Sequence, residues 1–418
     1  MFTKHKKIFL IVAGTLILVI LILGWRFYYL NLRGVGPAIS KVPVDITTVV
    51  PSIDVVMTDV ASISTSPEKL ESTPLNIPAN FSLGIFAKDL PGARVMVFDS
   101  LGNIWLSQTK QGTISKLTID NGRLISQKIV ISGLKNPHGL AFDPQDSDTL
   151  YIAEETKISK VKISDGLLGT LEKIIDLPVK GSHYTRSLLF NPNGLLYVSI
   201  GSTCNVCLER DERYAAIYSL NKNGSDFKQV AKGLRNSVFM TWNNQDETIW
   251  ATEMGRDLLG DNTPPDEVNI ISTKNNSIQN FGWPTCYGQN IHDTAFDKNT
   301  YIRNPCQEPF EKASQIDLQA HSAPLGLAFV PDSWPNEYQN SLLVAFHGSW
   351  NRSVATGYKV VRLILDDNNQ LIRQEDFITG WLTDQGALGR PVDLIFDTAD
   401  SLYISDDKAG VIYKVIHK

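Results

Sequence analysis

His183 lies in the run KGSHYTRSLLF, Arg235 and Asn236 in GLRNSVFMTW, Arg352 in HGSWNR and Arg390 in LGRPVDLIFD. An imidazole titrates nearest the working pH, so His183 could act as a general base; a solvated loop histidine is the alternative. Arginine offers a planar fork matched to carboxylates, and asparagine both donates and accepts hydrogen bonds. A lone loop arginine is a solvated charge, whereas two or three converging on one pocket would suit a small polyanion. A further run, ATEMGRDLLGDNTPPDEVNII (251–271), sets carboxylates among Gly and Pro. Backbone carbonyls there could join the acids around a calcium ion, although their spacing is not that of an EF-hand. His138 (NPHGL) and His321 (HSAPLG) are either pocket residues or structural hydrogen-bonding histidines.

What could bring these side chains together is a phrase that recurs six times: an apolar strand, a polar turn, and a second strand carrying a large residue. The copies are RVMVFDSLGNIWLS (94–107), GLAFDPQDSDTLYIAE (139–154), TRSLLFNPNGLLYVSIG (185–201), SVFMTWNNQDETIWATE (237–253), GLAFVPDSWPNEYQNSLLVAF (326–346) and PVDLIFDTADSLYISD (391–406). A supersecondary unit repeated in this way cannot bury its own apolar faces and must stack with its neighbours. The expected fold is therefore all-β, a six-bladed β-propeller with its site on the central channel. His183, the Arg235–Asn236 pair and Arg390 directly precede the third, fourth and sixth copies, so ring closure would set them around one mouth. FSLGIFA (81–87) is expected to pair with AGVIYKVI (409–416) and close the ring, which removes an exposed sheet edge. Residues 77–418 form the expected propeller. The long stretch Gly255–Pro324 should be functional or disordered by its length, and its Trp, Tyr and Cys content argues for order.

The first 30 residues are a separate object. MFTKHKK precedes the charge-free run from Ile8 to Trp25, which as a helix would be about 27 Å long, near the hydrocarbon thickness of a bilayer. The aromatic cluster after it resembles an interfacial belt, and the leading lysines favour a cytoplasmic N-terminus. The expectation is an uncleaved transmembrane helix over residues 1–30, a Pro/Ser/Thr-rich linker over 31–76, and a propeller on the extracytoplasmic side. The four cysteines, Cys204, Cys207, Cys286 and Cys306, then read as structural disulfides, although a lone CxxC can also be redox-active. A net charge of −5 without a basic stripe argues against nucleic acid as a partner.

Several runs together resemble the soluble, pyrroloquinoline-quinone (PQQ)-dependent glucose/sorbosone dehydrogenase family, in its L-sorbosone-dehydrogenase-like branch. They are GSHYTRSLLFNPNGLLYVSIGSTCNVC, GLRNSVFMTW, EMGRDLLGDNTPPDEVN, NFGWPTCYG, HSAPLGLAF, AFHGSWNR with GYKVVRL, and GRPVDLIFD with SDDKAGVIYKV. The resemblance implies a six-bladed propeller and a PQQ- and Ca²⁺-dependent oxidation of an aldose or sugar aldehyde. It implies His183 as the base, Arg235, Asn236, Arg390 and Arg352 (with Lys359 as a rival) as PQQ ligands, and the carbonyls of Gly255 and Arg256 as calcium ligands. A membrane quinone or a cytochrome would accept the electrons. One departure stands out: where the glucose-oxidising relatives carry an acid that orients the base, this chain has Ser202, so the expected substitute is Glu209 or Asp211. Two other function classes compete. A calcium-dependent lactonase would need carboxylates on the inner strands, and a non-catalytic binding module would not need His183.

Overall fold

The computed structural model describes residues 2–27 and 73–418, apart from Asp165, Lys180, Asn275 and Asn276. Each copy of the phrase supplies the inner two strands of one antiparallel sheet, and two further strands complete it. The blades run inward to outward as Ala93–Phe98 to Arg123–Ile131, Leu140–Asp143 to Glu172–Asp176, Arg186–Phe190 to Lys228–Lys232, Met240–Asn243 to Ile316–Leu318, and Pro324–Phe329 to Leu371–Ile378. The sixth blade takes Pro391–Phe396, Leu402–Asp406 and Val411–His417 from the C-terminus and Phe81–Ala87 from the start of the domain. The registers Leu83↔Val415 and Ile85↔Tyr413 close the ring as the alternation of FSLGIFA implies.

The large residue of each phrase explains why the blades stack. Trp105 packs edge-on against Phe142 of the next blade, Tyr151 against Phe190, and Trp250 against Phe329. Tyr197 meets Trp242, and Tyr403 of the last blade meets Phe98 of the first. All five second-strand rings are buried, and each such pair adds about 0.5–1.5 kcal/mol beyond the area it buries. Near the axis the blades come closer still. A Cβ on Gly139 would sit 2.5 Å from the carbonyl oxygen of Arg186 on the neighbouring blade, and one on Gly326 would sit 2.6 Å from that of Val392. The repeated GLAF therefore needs glycine because backbone meets backbone there, not because of a special dihedral angle.

The long stretch from Gly255 to Pro324 is ordered. It contributes the two outer strands of the fourth blade, places Gln279–Asn280 in parallel beside Lys228–Lys232 of the third, and carries a short hairpin, Cys286–Tyr287 with Ile291–His292. Two disulfides form, Cys204–Cys207 and Cys286–Cys306.

At the N-terminus, Phe2–Phe27 form one helix. Its side chains are described from Val12 to Arg26, and Leu16, Leu21 and Trp25 among them are exposed. Among the described residues no helix is long and apolar enough to cross a membrane. The transmembrane helix expected from the sequence is thus not supported by the fold: the side chains described in it, Val12 to Arg26, span about 22 Å at 1.5 Å per residue, short of the roughly 30 Å of a hydrocarbon core. Most of the linker expected over 31–76 lies outside the described residues; the chain is described again from residue 73, and Asn76 pairs with Thr379.

Candidate active site

Of the residues that precede the inner strands, Arg390 lies at one mouth of the channel, and His183 is the chain neighbour of Tyr184 in the same wall. A cavity of about 750 Å³ opens there, walled by Arg94, Lys110, Tyr184, His347, Arg390 and Asp407. A second cavity of about 470 Å³ lies along the axis and is lined by strands of all six blades.

Arg390 enters the upper cavity under restraint from three sides. The carboxylate of Asp406 accepts its backbone N–H at 2.8 Å. Its Nε donates to the carbonyl of His347 at 3.0 Å and its Nη2 to that of Gly348 at 2.6 Å, with Tyr358 beneath the guanidinium. Beside it, Asp407 accepts from Arg94 Nη1 and from His347 Nε2, each at 2.9 Å. Burial, then the nearby Arg390 charge, pushes His347 down to about 4. Burial alone would raise Asp407, but the His347 and Arg94 contacts outweigh it and hold the carboxyl well below its usual range. At neutral pH the pair is therefore a carboxylate receiving a proton-bearing Nε2 from a neutral imidazole.

His183 adjoins Tyr184 of the cavity wall along the chain. Its Nδ1 lies 2.9 Å from the carbonyl oxygen of Ser202 and 3.0 Å from the Ser202 hydroxyl. A carbonyl only accepts, so Nδ1 carries the proton and Nε2 keeps its lone pair. The hydroxyl in turn donates to the carbonyl of Cys204 at 2.7 Å, which leaves it an acceptor toward the ring. Burial, then the Arg235 charge, pushes His183 down to about 4. The acids expected to replace the missing carboxylate do not reach it. Glu209 accepts from the backbone N–H and hydroxyl of Thr203, and Asp211 pairs with Arg213. Backbone, not a carboxylate, orients this imidazole.

Arg235 and Asn236 share the corner with His183. The Ser202 N–H donates to the Arg235 carbonyl at 2.7 Å, and a Cβ on Gly201 would touch both Asn236 Oδ1 and His183 Cβ at 2.7 Å. Glycine is required at 201 by that close approach. Asn236 is anchored by its N–H, which donates to Glu253 at 2.8 Å. All five guanidinium hydrogens of Arg235 are committed: Nε to Asn205 O, Nη1 to Met254 O and Gly255 O, and Nη2 to Asn205 Oδ1 and Asp257 Oδ2. The Gly255 carbonyl, expected to face calcium, thus already faces a cation of the protein's own. The Arg256 guanidinium makes a buried pair with Asp293 at 2.9 Å, a contact of the side chain and not of the carbonyl expected to face calcium. Among the described residues, the groups of possible ligands that converge elsewhere each contain a disulfide-bonded cysteine pair.

Arg352, like His183, Arg235 and Asn236, is not among the residues that wall the cavity; it braces the 261–262 turn through Asn262 and donates to Ala320 O. Its rival Lys359 pairs with Asp376 at 2.6 Å. His138 is fully buried in the channel, with Nδ1 3.3 Å from the Ser187 hydroxyl. His321 meets Gly260 O through Nε2 and Asn351 through Nδ1, so both of its nitrogens serve the loops.

Arg94, Tyr184, His347 and Asp407 were not singled out from the sequence, yet the repeat holds a signal for two of them. Leu343 and Tyr403 occupy the same position of the phrase, which makes His347 and Asp407 equivalent residues of adjacent blades. Their pairing follows once the blades are neighbours.

The cationic lining, with Arg94, Arg390, Lys110 and Lys408 against Asp89 and Asp407, suits an anionic ligand. PQQ, a planar tricarboxylate, fits that donor set. Arg390 keeps Nη1 uncommitted among the described residues, and His183 keeps Nε2.

A model of the TrAA12-like family matches residues 75–418. An uncharacterized protein of Borreliella burgdorferi is 31% identical over 377 residues, covering 86% of this chain and 95% of its own length. A pyrroloquinoline quinone-dependent sugar dehydrogenase of Hypocrea jecorina is 26% identical, covering 79% of this chain and 86% of its own. Among solved structures, the holo form of the pyranose dehydrogenase PQQ domain from Coprinopsis cinerea superposes with a TM-score of 0.69 at 20% identity, over 82% of this chain and 96% of that one. These likenesses point to TrAA12-like proteins and do not single out the sorbosone branch.

Proposed function

Because the chain belongs to the TrAA12-like family, we propose that it is a PQQ-dependent oxidoreductase acting on an aldose or sugar aldehyde, sorbosone- or glucose-like, with His183 as the general base. The observation that carries this reading is the tautomer of His183: the Ser202 carbonyl holds its proton on Nδ1 and leaves Nε2 its lone pair, on the residue next to Tyr184 in the wall of a cationic cavity.

When bound, PQQ supplies a quinone that accepts a hydride. Arg390 and Arg94 bind its carboxylates from the sixth and first blades, with Lys110 adding charge. Asn236 orients the ligand beside His183. The imidazole takes the hydroxyl proton of the substrate at Nε2, and its Nδ1 bond to Ser202 keeps the ring aimed while it is charged. Arg235 acts from behind, as a fixed positive charge that lowers the cost of negative charge at the mouth. Arg352 has no part in this scheme, and no step is drawn from calcium.

The location we propose is extracytoplasmic, held at a membrane by residues 1–30. What supports it is the charge-free run Ile8–Trp25 in the sequence together with the two disulfides. A membrane quinone or a cytochrome would then take the electrons. Fractionation of cells expressing the full chain tests the location: release by high salt without detergent would contradict it.

A Ca²⁺-dependent lactonase is disfavoured, since the Asp407 carboxylate of the mouth is already committed to Arg94 and His347. The test of the reading is a fluorescence titration of the purified full chain with PQQ, followed by dye-linked oxidation of a panel of aldoses. Saturable binding with sugar-dependent dye reduction is the expected result, and absence of PQQ binding at micromolar concentrations would overturn it.

A further inference from the structure

The Cys204–Cys207 disulfide closes the shorter of the two cross-linked loops, with a sequence separation of 3 against 20 for Cys286–Cys306. In the chain-entropy account the shorter loop restrains the unfolded chain least. Its yield in hydrogen bonds to the candidate site is nonetheless large. Asn205, between the two cysteines, accepts from Arg235 Nε through its carbonyl at 2.9 Å and from Arg235 Nη2 through Oδ1 at 3.0 Å. The same Oδ1 accepts the Asp257 N–H at 2.8 Å, and Nδ2 returns a bond to the Asp257 carbonyl at 3.1 Å. Trp283 Nε1 also donates to the Asn205 carbonyl. Cys204 itself offers the carbonyl that fixes the Ser202 hydroxyl beneath His183.

One four-residue turn thus touches both halves of the corner: Arg235 through Asn205, and His183 through Ser202. Cys204 and Cys207 are partly exposed, whereas Cys286 and Cys306 are buried. A cross-link that mainly stabilised the fold would not need to carry the site's own hydrogen-bond partners.

We infer that Asn205, held in its conformation by the Cys204–Cys207 disulfide, is a positioning residue that fixes Arg235 beside the His183–Ser202 pair. This rests on the dehydrogenase reading only in what the corner is for; the positioning itself can be tested without it. Asn205 touches neither the cavity nor the reacting atoms, and it acts through Arg235. The charges facing His183 are Arg235 and Arg186, so loosening Arg235 alters the imidazole as well.

The experiment uses the full chain with Asn205→Ala, Asn205→Asp, and the double change Cys204→Ser with Cys207→Ser. Three properties are measured: PQQ affinity by tryptophan quenching, the His183 titration by NMR without PQQ, and the urea midpoint. Asn205→Ala and the double serine variant are expected to weaken PQQ binding about tenfold. They should also shift the His183 titration upward by about one unit, while Asn205→Asp, which keeps the Oδ acceptors, restores most of the PQQ affinity. A lowered urea midpoint with His183 titration and PQQ affinity unchanged would overturn the proposal and leave the disulfide a simple staple. If the unaltered chain binds no PQQ, the functional reading fails, and the His183 titration still decides the positioning role.

Discussion

His183 Nδ1 lies 2.9 Å from the carbonyl oxygen of Ser202, and no carboxylate takes part in orienting the ring. A peptide carbonyl fixes the same tautomer that an acid would fix, but it adds no negative charge to steady the imidazolium. With the Arg235 cation also near, the imidazole is neutral over the whole physiological range and is a weaker base than a carboxylate-backed one. Several measurable consequences come from that pairing and from the ring around it.

The first concerns pH. The base works only when deprotonated, so the rate should be lost as pH falls through about 4, well below the 6.5 of an ordinary histidine. Ser202→Asp would place a carboxylate against Nδ1, raise the folded-state value, and move the acid limb of kcat/KM upward by at least one unit. Ser202→Ala should change the limb little, because the carbonyl remains. A limb that stays near 6 in the unaltered enzyme would contradict the assigned surroundings of His183.

Arg390 and Arg94 are read as carboxylate ligands, and they reach the cavity from different blades. Arg390→Ala is expected to weaken PQQ affinity by roughly 10- to 150-fold, the range for losing a hydrogen bond to a charged group. Arg390→Lys should recover only part of it, since a point charge lacks the planar fork. Equilibrium titration against the cofactor measures both. Equal affinity of Arg390→Ala and the unaltered chain would remove Arg390 from the site.

Glu253 is buried behind Asn236, and burial, then the like charge of Glu267, raises its carboxyl well above the usual range. A raised acid contributes its full stability below its unfolded value of about 4.5 and loses it as pH rises through the folded one. Glu253→Gln mimics the protonated form. Its Tm should match that of the unaltered chain at pH 4.5 and exceed it at pH 8. A Tm deficit at both pH values would show that the carboxyl is ionised and paired in the fold.

The blade-to-blade ring contacts also have a cost that can be measured. Trp250 is fully buried against Phe329, so Trp250→Ala should destabilise the propeller by about 3–5 kcal/mol. Trp250→Phe should cost less than half of that. Urea unfolding monitored by near-ultraviolet circular dichroism reads both.

The ring was legible because its determinants repeat. Trp105, Tyr151, Tyr197, Trp250 and Tyr403 fall at one position of the phrase, and the residues they meet, Phe142, Phe190, Trp242, Phe329 and Phe98, end the inner strands at another. His183, Arg235, Asn236 and Arg390 were legible for the same reason, since each precedes an inner strand. What could not be read is how side chains distribute across blade boundaries. That Arg235 donates to the Gly255 carbonyl depends on where the Asn205 turn falls in space. That Glu209 serves Thr203, not His183, is decided by a local turn that its distance along the chain does not reveal. The N-terminal run read as a membrane span from hydropathy alone, and among the described residues no helix is both long and apolar enough to cross a membrane.

The central claim is that His183 is the base of a PQQ-dependent sugar oxidation. The most direct measurement compares the unaltered chain with His183→Ala, each loaded with PQQ, by stopped-flow reduction of the bound cofactor on mixing with an aldose. Both should bind PQQ with similar affinity, and the rate of reduction should fall by about 10²–10⁴ in the variant. Cofactor reduction at an unchanged rate in His183→Ala, or no sugar-dependent reduction in either protein, would contradict it.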